Sequence, residues 1–274
     1  MNYGKKSTAK KRTALISRSS MMGKRARVSF IRVLFVSLIV LCIAVTCLGV
    51  GSFRGVIDTA PDVDDIDIMP LGYATFLYDD AGNQIRKLAA PDSNRLPVTL
   101  DQIPVDLQHA VVAIEDERFY EHNGIDVKGI LRAGMKALTT GDFSEGASTI
   151  TQQLAKNLYF TQEKKVERKV AEVFMAVELE KEYSKKDILE LYVNSIYFGN
   201  NYYCVKDASM GYFGKEPGKM TEYESTLLAG IPNAPSVYAL TANPDLAAQR
   251  QRQVLEKMIK YKYLTSEEAE KILE

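Results

Sequence analysis

The sequence predicts a mainly α domain that carries one small β-hairpin and is preceded by a membrane-spanning helix. Three observations carry this expectation. Val33 to Phe53 is a run of 21 residues without a charge, rich in Val, Leu and Ile. After Pro104 the apolar residues fall at helical spacing, while strand-like alternation is confined to two short runs around an Asp-Asp-Ala-Gly-Asn turn. The chain has 274 residues, 46% of them hydrophobic, enough for one substantial domain with an appendage.

A helix of the length of the first run, at about 1.5 Å per residue, crosses a hydrocarbon core of roughly 30 Å. Residues 1 to 32 hold ten basic residues and no acid, whereas Asp58, Asp62, Asp64, Asp65 and Asp67 follow the run. The positive-inside bias therefore predicts a cytoplasmic basic tail over 1–32, a transmembrane helix over 33–53 and a linker over 54–74. Residues 75–274 are then the extracytoplasmic domain of a single-pass plasma-membrane protein. A cleaved signal peptide is the competing reading, but the run exceeds the usual ~7–15 apolar residues and lacks a clear small-x-small site. The basic arm needs no nucleic-acid partner, because a juxtamembrane cluster beside anionic lipid accounts for it. The formal net charge of zero hides this asymmetry, since the remainder of the chain carries about ten net negative charges. Three cysteines make no disulfide framework. Two histidines without CxxC or HExxH make a zinc enzyme improbable.

The elements follow in order. Thr75 to Tyr78 and Gln84 to Leu88 read as the hairpin. Leu107, Val111 and Ile114 mark a first helix, and Ile150, Leu154 and Leu158 a second with Ser148 as its N-cap. Val166, Val170, Val173, Phe174 and Val177 mark a third, starting near Glu163. Ser184 with Asp187, and Thr221 with Glu224, read as capping boxes of two further helices. Residues 245–260 and 265–273 supply the last ones.

Chemistry is concentrated in a few segments. Glu115 follows Ile114 at the edge of a buried helix face, where desolvation raises a carboxyl pKa and makes a usable base; a solvated helix end is the alternative. Gln152 with Lys156, and Gln153 with Asn157, stand at i,i+4, so one helix face presents amides and an ammonium, suited to sugar hydroxyls and phosphate oxygens or simply to solvent. Arg168 and Glu172 share the same spacing, which fits an ordinary salt bridge equally well.

In order and spacing, EDERFYEHNG (115–124), GASTITQQLAKN (146–157), ERKVAE (167–172), KKDILELYVNSIYFG (185–199) and YFGK with ESTLLAGIPNAPSVY (212–238) resemble the peptidoglycan glycosyltransferases, glycosyltransferase family 51. The resemblance covers roughly residues 75 to 274. It implies a lysozyme-like, bilobed fold with a head and a jaw. It implies Glu115 as general base with Asp116 beside it. Ser148, Gln153, Lys156 and Asn157, then Arg168, Lys169 and Glu172, then Lys185 match the following motifs as catalytic (Glu172) or substrate-binding residues. Two departures stand out: Asn200-Asn201 replace a frequent glycine and Cys204 another. Asn tolerates positive φ, so the turn is expected to survive.

The reaction implied is polymerisation of lipid II: the 4-hydroxyl of an acceptor sugar displaces undecaprenyl pyrophosphate from a donor, turning an α linkage into a β-1,4 one. The proton then needs a carboxylate, Glu115, and the departing pyrophosphate needs cations, Lys156, Arg168 and Lys169. No cofactor is required. Glu172 is open to three roles: positioning the cations, holding a divalent cation (Mg or Mn), or assisting the leaving group. Partners implied are lipid II, the growing lipid-linked strand, the membrane, into which apolar residues near 125–145 are expected to dip, and a cell-wall synthesis complex. The alternatives are a lysozyme-like glycan-cleaving enzyme and a catalytically silent scaffold. The absence of a KTG segment favours a monofunctional chain over a bifunctional penicillin-binding protein.

Overall fold

A computed structural model describes residues 33–41, 43, 75–88, 95–141, 146–159 and 166–274. Residues up to Thr59 and those from Ala60 onward form separate compact units. In the first, residues 33–41 are helical. No helix among the described residues is long and apolar enough to cross a membrane. The rest of the expected 33–53 span, residue 43 apart, lies outside the described residues, as do the expected basic tail over 1–32 and linker over 54–74.

The second unit is mainly α with one two-stranded antiparallel sheet, as the sequence predicts. Strands β1 (Thr75–Tyr78) and β2 (Gln84–Leu88) pair with Thr75 opposite Leu88. Asp79 shapes their turn, its carboxylate accepting from the Ala81 and Asn83 N–H groups at 3.0 and 2.7 Å.

The helices of length are α1 (Val105–Glu115), α2 (Val127–Thr140), α3 (Ile150–Tyr159), α4 (Val166–Glu182), α5 (Lys185–Val193), α6 (Val205–Phe213) and α7 (Glu222–Ala229). The short α8 (Pro235–Tyr238) leads to α9 (Pro244–Lys260) and α10 (Ser266–Leu273). Helix α1 is buried through Leu107, Ala110, Val111, Val112 and Ala113, and packs against α7 and α9. Its neighbour α3 buries Ile150 and Leu154 against α4 and α5. Fully buried Phe119 and Tyr192 join the two groups in one core. Each such side chain contributes about 1.5–3 kcal/mol by leaving water.

Both predicted capping boxes form, and Thr265 with Glu268 adds another. The N-cap of α3 differs from the expectation. Thr149, not Ser148, accepts the Gln152 N–H at 3.1 Å and donates to the Gly124 carbonyl at 2.7 Å, so one hydroxyl caps α3 and fastens the preceding loop. The expected start of α4 near Glu163 lies outside the described residues. Helices α2 and α6 were not expected from the sequence. The thiol of Cys204 caps α6, accepting from the Asp207 N–H at 3.4 Å. The expected turn survives, with Asn200 and Asn201 at φ +49° and +67° and the Phe198 N–H bonded to the Tyr202 carbonyl at 2.8 Å.

Candidate active site

The end of α1 and the start of α3 are tied together by one buried carboxylate. Asp116 Oδ2 accepts the Ile150 N–H at 3.0 Å, and both its oxygens lie within 3.0 Å of His122 Nε2. This bond at the start of α3 places a negative charge where the helix dipole favours it. Glu115, one residue earlier, is thereby held against α3. Gln153 Nε2 donates to Glu115 Oε2 at 2.8 Å, while Glu115 Oε1 is buried without a hydrogen-bond partner. Burial pushes the Glu115 carboxyl up from its ordinary value, against the Gln153 hydrogen bond and the positive fields of Arg250 and Lys156.

Two clefts meet beside this pair. The first, about 790 Å³, is lined by Glu115, Asp116, Ser148 and Arg250 among others. The second, about 530 Å³, is lined by Asn157, Arg168, Tyr197 and Tyr203 among others. Gln153, Lys156, Pro232 and Asn233 line both. A buried carboxyl and a cationic wall therefore stand on either side of one shared segment of α3.

The remaining candidate residues are gathered unevenly. Glu172 is buried, its side chain 2% exposed, with Arg168 Nε at 2.9 Å and Lys169 Nζ at 3.2 Å. Lys169 Nζ also donates to Ser148 Oγ at 2.9 Å and approaches Gln152 Oε1 at 3.4 Å, so it reaches the first cleft through Ser148 and lines neither cleft itself. Lys185 lines neither cleft. Its ammonium donates to Glu180 at 2.7 Å and sits 4.4 Å from the centre of the Phe119 ring. Both Glu172 oxygens face cations, Arg168 and Lys169, so a divalent cation held there would have to displace one of them.

Sequence reasoning missed several residues of the clefts. Arg250 belongs to α9, where a QRQRQ run gives no hint that one arginine turns toward Glu115. Asn233 and Pro232 lie in the IPNAP segment, whose pattern carried the resemblance without a role for either. Glu117 lines the first cleft, its side chain 8% exposed, and bonds Arg118, Arg132 and Tyr261.

The transglycosylase family profile matches residues 81–259, a stretch that holds every site residue expected from the sequence. Penicillin-binding protein 1A of Escherichia coli is 41% identical over 234 residues, which are 83% of this chain and 27% of that protein. Penicillin-binding protein 1F of Bacillus subtilis is 38% identical over 86% of this chain and 33% of its own length. A Cupriavidus necator protein provisionally named a transglycosylase is 48% identical over 59% of this chain and 70% of its own. The chain thus spans at most about a third of the length of these two penicillin-binding proteins. It belongs to the transglycosylase family.

Proposed function

We propose that this chain is a peptidoglycan glycosyltransferase that polymerises lipid II into β-1,4-linked glycan strands. The observation that carries the reading is Glu115 itself: a carboxyl raised by burial, one oxygen without a partner, on a cleft that passes through Lys156 into a second cleft walled by Arg168. An acceptor sugar in the first cleft offers its 4-hydroxyl to Glu115 Oε1, which takes the proton as the oxygen attacks the donor's anomeric carbon. The bond from that carbon to the diphosphate breaks, and the leaving oxygen carries the electron pair toward Lys156 and Arg168. A single displacement inverts the α linkage to β. Glu172 acts by holding Arg168 and Lys169 in place, and Asp116 by holding α1 against α3.

The substrate is lipid-linked, and α2 supports a membrane-facing role. Val127, Ile130, Leu131, Met135 and Leu138 are exposed along it, and Gly129 is its single buried residue. Such a stripe resting on a bilayer, with residues 33–53 as a single-pass anchor and the N-terminus cytoplasmic, keeps the catalytic domain at its substrate's surface. Recruitment into a cell-wall synthesis complex belongs to the same reading.

The test is incubation of the full chain with lipid II. Longer glycan strands from wild type, and none from Glu115→Gln with its fold intact by circular dichroism, are expected. Shortening of preformed strands, or polymer from the variant at the wild-type rate, would overturn the reading.

A further inference from the structure

The segment from Glu224 to Tyr238 carried the family resemblance, yet the reaction above gives it no task, although Pro232 and Asn233 line both clefts. Two of its residues meet one side chain of α9. Gly230, buried at the end of α7, has φ −76°, which any residue adopts, so the backbone does not ask for glycine there. The space does: a Cβ at this position would stand 2.9 Å from Arg250 Cγ and 3.6 Å from Arg250 Cβ. The Arg250 guanidinium lies 5.8 Å from the centre of the Tyr238 ring, and its Nη1 donates to Gln253 Oε1 at 2.8 Å. Arg250 is thus laid along Gly230 and held by Tyr238 and Gln253, on the wall of the cleft that contains Glu115.

We infer that this segment works through Arg250: Gly230 and Tyr238 seat it as a positioning residue, whose charge keeps Glu115 ionised while Oε1 stays open to the acceptor hydroxyl. The inference rests on the proposed polymerase reading and deepens it. Gln153 takes Glu115 Oε2, and Oε1 has no hydrogen-bond partner, so Arg250 acts on the carboxyl through its field and not through a bond. An arginine bonded to Oε1 would favour the carboxylate more strongly but would stand where the sugar oxygen must come. The seat resolves that conflict, since Tyr238 and Gln253 engage the guanidinium instead. Burial opposes the charge on Glu115. Against it, Lys156 of α3 adds a weaker field than Arg250, and Asp116 in the following turn a weaker one still, of opposite sign. Tyr192 of α5 faces the carboxyl as well, and His122 stands behind Asp116. Further along the cleft, Arg132 and Lys136 of α2 and Glu256, Lys257 and Lys260 of α9 share the wall with Glu117. All of these remain when Gly230 or Arg250 is substituted, so a titration of Glu115 isolates the seat.

Carbon-13 NMR titration of the full chain in detergent tests this, with glutamate carboxyl carbons labelled and the Glu115 signal assigned by its loss in Glu115→Gln. Arg250→Met and Gly230→Ala are each expected to raise the Glu115 midpoint. Arg250→Lys, which keeps a charge, is expected to fall below Arg250→Met, and Gly230→Ala added to Arg250→Met to add nothing. The acidic limb of kcat/KM in lipid II polymerisation is expected to follow the midpoint, costing Arg250→Met at least about threefold on that limb. A midpoint unmoved or lowered in Arg250→Met or Gly230→Ala overturns the inference. So does a midpoint in Arg250→Lys at or above that of Arg250→Met, or a further rise in the double variant. If circular dichroism shows Arg250→Met unfolded, Arg250→Gln takes its place. Failure of wild type to polymerise lipid II, or a limb that stays fixed while the midpoint moves, sinks the polymerase reading with Glu115 as its base, and leaves the titration to judge the seat by itself.

Discussion

Gln153 holds the Glu115 carboxylate by its amide nitrogen at 2.8 Å, and the buried Tyr192 hydroxyl fixes that amide's orientation by donating to its oxygen at 3.2 Å. The hydrogen bond favours the charged carboxylate and offsets part of the burial that disfavours it. Gln153→Ala removes that support, so the Glu115 pKa rises further. Because the base works only when ionised, the acidic limb of the kcat/KM profile is expected to move to higher pH. Tyr192→Phe should move it in the same direction by less, since the amide stays but loses its anchor. A limb that stays fixed or moves to lower pH in Gln153→Ala would remove Gln153 from the support of the base.

The same raised pKa has a consequence for stability. A carboxyl whose folded pKa exceeds its unfolded value binds its proton more tightly in the native state. Its contribution to stability is present below the unfolded pKa and lost as pH rises through the folded one. Glu115→Gln carries no ionised form, so at neutral pH it is expected to be more stable than wild type, with the difference vanishing in acid. Its polymerising rate is expected to fall at least about a hundredfold. Urea denaturation at several pH values together with the activity assay checks both; a variant less stable than wild type at neutral pH would contradict the burial argument.

Thr149 and Ser148 are adjacent hydroxyls with different work. Thr149 caps α3 and bonds the Gly124 carbonyl, whereas the Ser148 hydroxyl is held by Lys169 on the cleft wall. Thr149→Ala is expected to cost about 1–2 kcal/mol, as the loss of an N-cap does. Ser148→Ala is expected to leave stability within about 0.5 kcal/mol and to weaken substrate engagement. Thermal melts of the two variants side by side decide this, and equal destabilisation would mean that the cap is shared.

What the sequence could and could not disclose follows from these residues. Glu115 was legible because it ends a run of buried apolar residues; the polar face of α3 was legible only in part, since Gln153, Lys156 and Asn157 reach the second cleft whereas Gln152, paired with Lys156 by spacing, is buried and lines neither cleft. Ser148 was mistaken for the cap because Ser and Thr are both good caps and the pattern does not say which hydroxyl faces the helix. Helix α2 went unread because its apolar residues face away from the core and it carries Gly129 and Gly134, which lower helix propensity. Helix α6 went unread because a thiol is an uncommon cap. The partnership of Glu117 with Lys257 and Tyr261 joins residues about 140 positions apart, a relation that only the packed chain reveals. Lys185 illustrates the reverse case: a motif position that the fold turns toward Glu180 and Phe119 and away from both clefts.

Glu172 separates a positioning role from a catalytic one. Its carboxylate is buried beneath Arg168 and Lys169, and removal of one member of a buried ion cluster typically costs about 3–5 kcal/mol because the remaining charges lose their counter-ion. Glu172→Ala is therefore expected to destabilise the domain by that order, and Glu172→Gln by less because the amide keeps the shape. Loss of activity in either variant does not by itself assign a role, so the discriminating measurement is a double-mutant cycle with Arg168→Ala. If Glu172 works by holding Arg168, then once Arg168 is gone Glu172→Gln should add little to the loss in donor KM, and the two effects should be strongly non-additive. If Glu172 instead handles a proton on the leaving group, Glu172→Gln should lower kcat by the same factor in both backgrounds. The ion-pair geometry, with both carboxylate oxygens turned toward cations, predicts the first outcome.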